Sequence, residues 1–362
     1  MTALPKEQSF FVPNFFPSKV NSIVKPCNLL PEGMDSLVKD FSSLMLGSSS
    51  PYTWGKHCSA LSLYNRFCNE FNIDNIFPID IKHMRAFTTW ALSSHGLQPS
   101  TVRSYLSSLK IVHELKDTVC VNFANDKCVK MLLKGANGTN ITKKPARLAM
   151  NYHILKILSH RIANTNWCTM SKQVIWTAFT VCFFTSTRMG ELVCKHENNL
   201  KQENTLTWNN VNFLSDQGVL LFIPHTKTTG YRGAFIDIFP IENSPYCPAA
   251  ALRKLFKKCC KENTFVKSQP VFSFKSGKPV TTTCLNAVLL DLIPDLCDDK
   301  GKISCHSFRA GIPSMLAAHP NFSNIHEILE WGRWESDSFK RYTKNERDRK
   351  RELFKKIVML LK

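Results

Sequence analysis

Residues 134–149 read KGANGTNITKKPARLA, and no other stretch constrains the chain as much. Glycines, asparagines and a proline sit there among basic side chains, and the helical periodicity that runs up to it stops, so the stretch reads as a linker. A chain of 362 residues is long for one domain and comfortable for two. The expected organisation is a flexible arm over residues 1–30, a helical domain over 31–137, a linker over 138–150 and a second domain over 151–362.

Before the linker the apolar spacing stays near 3.6 residues. MDSLVKDFSSLML predicts a first helix. A second follows in SSSPYTWGKHCSALSLYNRFCNEF, with serines as cap candidates, Pro51 near the first turn and a stripe of Trp54, Leu61, Tyr64, Phe67 and Cys68. DIKHMRAFTTWALSSHG predicts a third, ending at Gly96, and QPSTVRSYLSSLKIVHEL a fourth, capped by Ser100 with Val102, Tyr105, Leu106 and Leu109 inside. A short fifth is expected around Cys128 to Leu133. Beyond the linker, residues 151–162 and 171–185 read as buried helices. TLTWNNVNFL, GVLLFIPHTK and GAFIDIFPI are short and rich in β-branched and aromatic residues. Asp216-Gln217-Gly218 and Thr229-Gly230 break them apart, as in a small antiparallel sheet. CPAAALRKLFKKCCKE is helical with a basic face, and helices run on after the turn in FSFKSGKPVT. The expected fold is mainly α with a small antiparallel β-sheet.

The net charge of +19 selects partners rather than a fold. Nucleic acid comes first and an acidic membrane surface second. Membrane insertion is disfavoured because no apolar run reaches the roughly 18 residues a spanning helix needs. The opening MTALPKEQSFF lacks the basic and apolar regions of a signal peptide, and the 14 cysteines are scattered, so an intracellular protein with reduced thiols is expected. Cys259-Cys260 and Cys194-Lys195-His196 lack the paired spacing of a zinc site.

Four stretches of the second domain carry unusual local chemistry. FTSTRMGELV places Arg188 after an apolar helix with Glu191 three residues on. Alone this reads as a surface ion pair. PHTKTTGYRGAF puts Lys227 near the tip of a hairpin, where lysine commonly serves solubility. HSFRAG sets His306 and Arg309 on one helix face. WGRWESDSFKRYTK holds Arg333, Trp334 and Tyr342.

In this order, arginine, hairpin lysine, His-x-x-Arg, Arg-Trp and tyrosine resemble the tyrosine recombinases, or phage-type integrases. TSTRMGEL is similar to the first catalytic box of that family, and HSFRAG with GRWESDSFKRY to the second. CPAAAL and GRW bring it closer to recombinases of eukaryotic mobile elements of the DIRS and Crypton type. The resemblance covers both domains and implies a helical core-binding domain, an α+β catalytic domain, and a site-specific recombinase or integrase. It implies that Arg188 and Arg309 grip the scissile phosphate, Lys227 protonates the leaving 5′-hydroxyl, His306 bonds the phosphate, and Tyr342 attacks to leave a 3′-phosphotyrosine. Such chemistry needs no ATP, and neither a P-loop nor an acidic metal-ligand cluster is evident, so no cofactor is expected.

The sequence departs from the family nine residues before the tyrosine, where Arg333 replaces the usual histidine or tryptophan and Trp334 follows. Either can donate to a phosphate. Pro313, just after HSFRAG, costs about 3 kcal/mol inside a helix unless it lies in the first turn. Glu191 is a candidate to orient Arg188 or Lys227. Lys56, Arg66, Lys82, Arg85, Arg103 and Lys110 are the DNA-binding candidates on the first domain's helices. The partner expected is double-stranded DNA, with a homo-tetramer on two DNA sites, a monomer when DNA is absent, and a nuclear location in a eukaryotic host. Two other readings remain open: a type IB topoisomerase-like nicking-closing enzyme, and a catalytically silent DNA-binding protein derived from a mobile element.

Overall fold

A computed structural model describes residues 34–116, 123–139, 148–194, 205–227, 232–294, 303–318 and 325–333. The chain divides into two compact units, with the boundary between Lys143 and Lys144.

Among its described residues the first unit holds α1 Asp35–Gly47, α2 Pro51–Glu70, α3 Ile81–Ser93, α4 Pro99–Glu114 and α5 Lys127–Thr139. Ser50 starts α2: its Oγ accepts from the Thr53 amide at 3.2 Å while Pro51 supplies a first-turn residue that needs no donor. The expected stripe of Trp54, Leu61, Tyr64, Phe67 and Cys68 is buried. Its Tyr64, Phe67 and Cys68 pack with Val102, Leu106 and Leu109 of α4 and Met84, Phe87 and Trp90 of α3, and its Trp54 and Leu61 with Val112 of α4. Aromatic rings interlock there, Tyr64 on Phe87 with centroids 5.3 Å apart and Phe67 on Trp90 at 5.5 Å. Two local expectations change. Gln98, not Ser100, holds the cap position of α4, because Pro99 presets the first turn and Ser100 falls inside the helix. The fifth helix does not stop at Leu133 but continues through Gly135 and Gly138 to Thr139.

The second unit opens with α6 Tyr152–Ala163 and α7 Thr169–Thr185, followed by the single turn α8 Met189–Leu192. The strands are β1 Val211–Phe213, β2 Val219–Ile223 and β3 Ala234–Ile238. They are antiparallel in the order β1-β2-β3, with Leu221 opposite both Val211 and Ile236. Val219, Leu221, Ile223, Ile236 and Ile238 face the core, and the alternate positions lie on the other face. Gly233 closes the base of the β2–β3 hairpin at φ +66, where a Cβ would sit 2.6 Å from the Ile223 carbonyl and the Phe222 ring. Helices α9 Pro248–Lys261, α10 Thr282–Leu292, α11 Cys305–Arg309, α12 Gly311–Ala318 and α13 Ile325–Gly332 complete the described part.

Helix α7 is the axis of this unit. Val174, Ala178, Phe179, Val181, Cys182 and Phe183 are all buried, and α6, α9, α11 and β3 pack around them. Burial extends to nearly every side, and the buried Gln173 and Thr177 are satisfied by the Ala251 carbonyl of α9. Pro313 is the third residue of α12, in the first turn, so the helix starts afresh after Ala310 and Pro313 breaks no intrahelical hydrogen bond. No helix among the described residues is long and apolar enough to cross a membrane.

Candidate active site

Three of the cationic residues nominated from the sequence, Arg188, Arg309 and Arg333, meet at the C-terminal end of α7. The chain leaves that helix through Ser186, which adopts the left-handed conformation at φ 51, and turns at once into α8. Arg188 caps α8: its main-chain amide donates to Glu191 Oε2 at 3.1 Å and its guanidinium to Glu191 Oε1 at 2.7 Å. Glu191 does more than pair with its neighbour. Its Oε2 also accepts from Arg333 Nη2 at 3.2 Å, across 142 residues of sequence.

Helix α11 delivers Arg309 to the same place. The N-terminal amide of Cys305 is satisfied by Asn286 Oδ1 of α10 at 2.8 Å, and Phe308 stacks on Phe179 of α7 with centroids 4.9 Å apart. That packing fixes the helix so that Arg309, only 3% exposed, donates from Nη1 to the Ser186 carbonyl at 2.8 Å. Its Nη2 reaches the Arg333 carbonyl at 3.4 Å. Arg333 follows α13, itself left-handed at φ 50. Two guanidiniums therefore share one carboxylate and a third is held next to them by backbone carbonyls, so positive charge is in excess.

The electrostatics follow from that excess. Burial, and then the like charge of Arg188, pull Arg309 down to about 10, with Glu191 opposing. Burial alone would raise the Glu191 carboxyl, but the hydrogen bond from Arg188 and the charge of Arg333 outweigh it, and the net shift is downward. Glu191 is thus a carboxylate held by two arginines. The buried thiols of these elements are poor nucleophiles, since burial pushes Cys182 upward and Cys305 up to about 12. A cluster of forked cations, one buried and two half-buried, with a single carboxylate among them is suited to holding a phosphate and stabilising charge that develops on it.

His306 shares the α11 face with Arg309 and is half-buried. Lys227 is exposed on the β2–β3 connection, and among the described residues no hydrogen bond or ion pair ties it to the cluster. Trp334 and Tyr342 lie outside the described residues. The small residues after HSFR serve packing: a Cβ on Gly311 would stand 2.6 Å from the Phe183 ring and 2.8 Å from the Met150 carbonyl.

In the first unit the nominated cations separate into kinds. Arg85 is engaged with Asp126, Nη2 to Oδ2 at 2.7 Å, and this pairing holds the Asp126 carboxyl at about 2. Lys110 pairs with Glu114 at 3.5 Å. Arg66 lies with its guanidinium carbon 5.7 Å from the Trp90 ring centre. Lys56 and Lys82 are exposed. Arg103 lines a cleft of about 280 Å³ with Leu106 of α4 and Lys130, Leu133, Lys134 and Asn137 of α5. Lys130 and Lys134 were not among the sequence candidates. Their four-residue spacing carries the signal once the fifth helix is known to extend past Leu133.

No family model matches the chain, and no curated protein matches it in sequence. Solved structures do match in fold. The XerH site-specific recombinase bound to a palindromic difH substrate in a post-cleavage complex is similar at 14% identity, with 92% of this chain and 87% of that chain covered and a TM-score of 0.56. A lambda integrase dimer bound to a COC′ core site is similar at 12% identity, over 92% of this chain and 83% of that chain, with a TM-score of 0.52. The fold is that of the tyrosine recombinases, mainly helical with a small three-stranded antiparallel sheet in the second unit.

Proposed function

We propose that the chain is a site-specific DNA recombinase or integrase that cleaves and rejoins DNA through a 3′-phosphotyrosine. The observation that carries this reading is the gathering of three arginines at one place: Arg188 and Arg333 share the Glu191 carboxylate, and Arg309 is held beside them by the Ser186 and Arg333 carbonyls. A phosphodiester is a poor electrophile because its own negative charge repels a nucleophile. Attack then places further charge on the non-bridging oxygens. Fixed guanidiniums counter both effects without reorganising. Arg188 and Arg309 hold the scissile phosphate, and Arg333, in the place where the resembling family has histidine or tryptophan, adds a third fork. His306 donates to the same phosphate, Tyr342 is the nucleophile, and Lys227 on its exposed hairpin protonates the leaving 5′-hydroxyl. The bond to tyrosine retains the energy of the cleaved linkage, so rejoining needs no ATP.

The substrate in this reading is double-stranded DNA, recombined by a homo-tetramer on two sites. The Arg103–Lys130–Lys134 cleft of the first unit binds its backbone. GRW before the tyrosine supports a eukaryotic mobile element as the source and the nucleus as the place of action.

The test is a suicide duplex cut from the DNA that flanks the gene. A covalent protein–DNA adduct is expected with the wild-type chain and none with Tyr342→Phe. Absence of any adduct across the flanking sites would refute the reading, and relaxation of supercoils without recombinants from paired sites would move it to a topoisomerase-like enzyme.

A further inference from the structure

Thr185, Ser186 and Thr187 are three buried hydroxyl residues in a row, and two of them are satisfied. Thr185 Oγ1 donates to the Val181 carbonyl at 2.7 Å, the usual recourse of a hydroxyl at a helix end, and lies 3.0 Å from Thr187 Oγ1. Ser186 is different in two independent ways. Its Oγ is buried and has no hydrogen-bond partner among the described residues, and the residue is 0% exposed. Its backbone is left-handed at φ 51, a conformation that glycine adopts freely and serine does not. A buried hydroxyl without a partner and a strained backbone both oppose folding. Glycine at this position would remove both.

The surroundings give the pair of costs a meaning. The Ser186 carbonyl receives Nη1 of Arg309 at 2.8 Å, so this residue adjoins the buried guanidinium of the anion site. Arg309 Nη2 reaches the carbonyl of Arg333 at 3.4 Å, and the Nε of that arginine is a second buried donor without a partner among the described residues. Each of these two carbonyl contacts of Arg309 thus belongs to a residue that also carries an idle donor. Buried donors gathered around a cationic site are completed by an acceptor with several oxygens, and a phosphoryl group is one.

We propose that Ser186 is a further catalytic residue, whose hydroxyl donates to a non-bridging oxygen of the scissile phosphate alongside Arg309 and Arg333 Nε. The inference rests on the phosphoryl-transfer reading above. The hydrogen bond strengthens as charge builds on the oxygen, so it lowers the barrier more than it tightens ground-state binding. Removal of one preorganised donor of this kind slows a reaction by about 100-fold or more.

Ser186→Gly and Ser186→Ala in the full chain test it, with single-turnover cleavage of a suicide duplex, affinity for the intact duplex and thermal melting as the three readouts. Both variants are expected to cleave about 100-fold more slowly. Both should bind the intact duplex as the wild type does, and Ser186→Gly should melt no lower than the wild type. Stability and activity then move apart, which a merely structural serine would not produce. Wild-type cleavage by Ser186→Gly would overturn the proposal and leave the recombinase reading intact, as would a rate loss that tracks a lower melting temperature in both variants. A wild-type chain that forms no adduct at all overturns both.

Discussion

Replacing Glu191 by glutamine tests the cluster at its shared carboxylate. The side chain is 6% exposed and accepts from Arg188 twice and from Arg333 once, while each arginine side chain is 27% exposed. Glutamine keeps the shape, but it offers one oxygen where two were used and turns an amide donor toward a guanidinium. Hydrogen bonds to charged groups contribute about 1.5–3 kcal/mol each, and breaking a buried pair costs about 3–5 kcal/mol. With both arginines partly wet, the low end applies, and Glu191→Gln is expected to lose about 2–4 kcal/mol at pH 7. The pH dependence has a definite sign. The folded-state carboxyl lies below its ordinary value of 4.5, so its contribution is complete above that value and disappears as pH falls through the depressed folded value. Urea unfolding of both proteins in parallel, at pH 7 and in steps through and below 4.5, measures the difference. It should be largest at pH 7 and close as the wild-type carboxylate protonates. Equal stability at pH 7, or a gap that ignores pH, would refute the bridging role.

The remaining predictions concern the first unit and the core. Arg103→Ala, Lys130→Ala and Lys134→Ala should each flatten the dependence of log affinity on log salt by about 0.9 for every phosphate left without its cation, whereas Arg85→Ala, whose guanidinium already serves Asp126, should leave that slope unchanged. A salt titration of duplex binding reads this, and an unchanged slope in all three cleft variants would remove the cleft from the DNA path. Gly311→Ala presses a methyl group into the Phe183 ring and the Met150 carbonyl and should destabilise the second unit by about 1–3 kcal/mol, measured by urea unfolding.

The elements that could be read from sequence were those whose signal is local. The Trp54–Cys68 stripe, the turn-bounded β-branched and aromatic run in GVLLFIPHTK and the i, i+3 pairing of His306 with Arg309 all depend on signals within a few residues. The misreadings also have local causes. Glycine costs a helix about 1 kcal/mol, so Gly135 and Gly138 argued for an early stop. The helix nevertheless continues, and that missing turn hid Lys134 and Asn137. The bridge from Glu191 to Arg333 spans 142 residues and leaves no periodic trace in either stretch. Nor does the letter sequence TSTR disclose that Ser186 alone among these four is left-handed and without a partner for its hydroxyl.

The central claim is that the nominated tyrosine becomes covalently joined to DNA at a phosphate held by the arginine cluster. Proteolysis of a trapped adduct followed by mass spectrometry of the DNA-linked peptide tests it most directly. The account predicts a single linked peptide containing Tyr342, joined to the 3′-phosphate side of the break with a free 5′-hydroxyl on the released strand, and no linkage in Arg309→Ala. A linked peptide that excludes Tyr342, or a 5′-phosphate linkage, would contradict it.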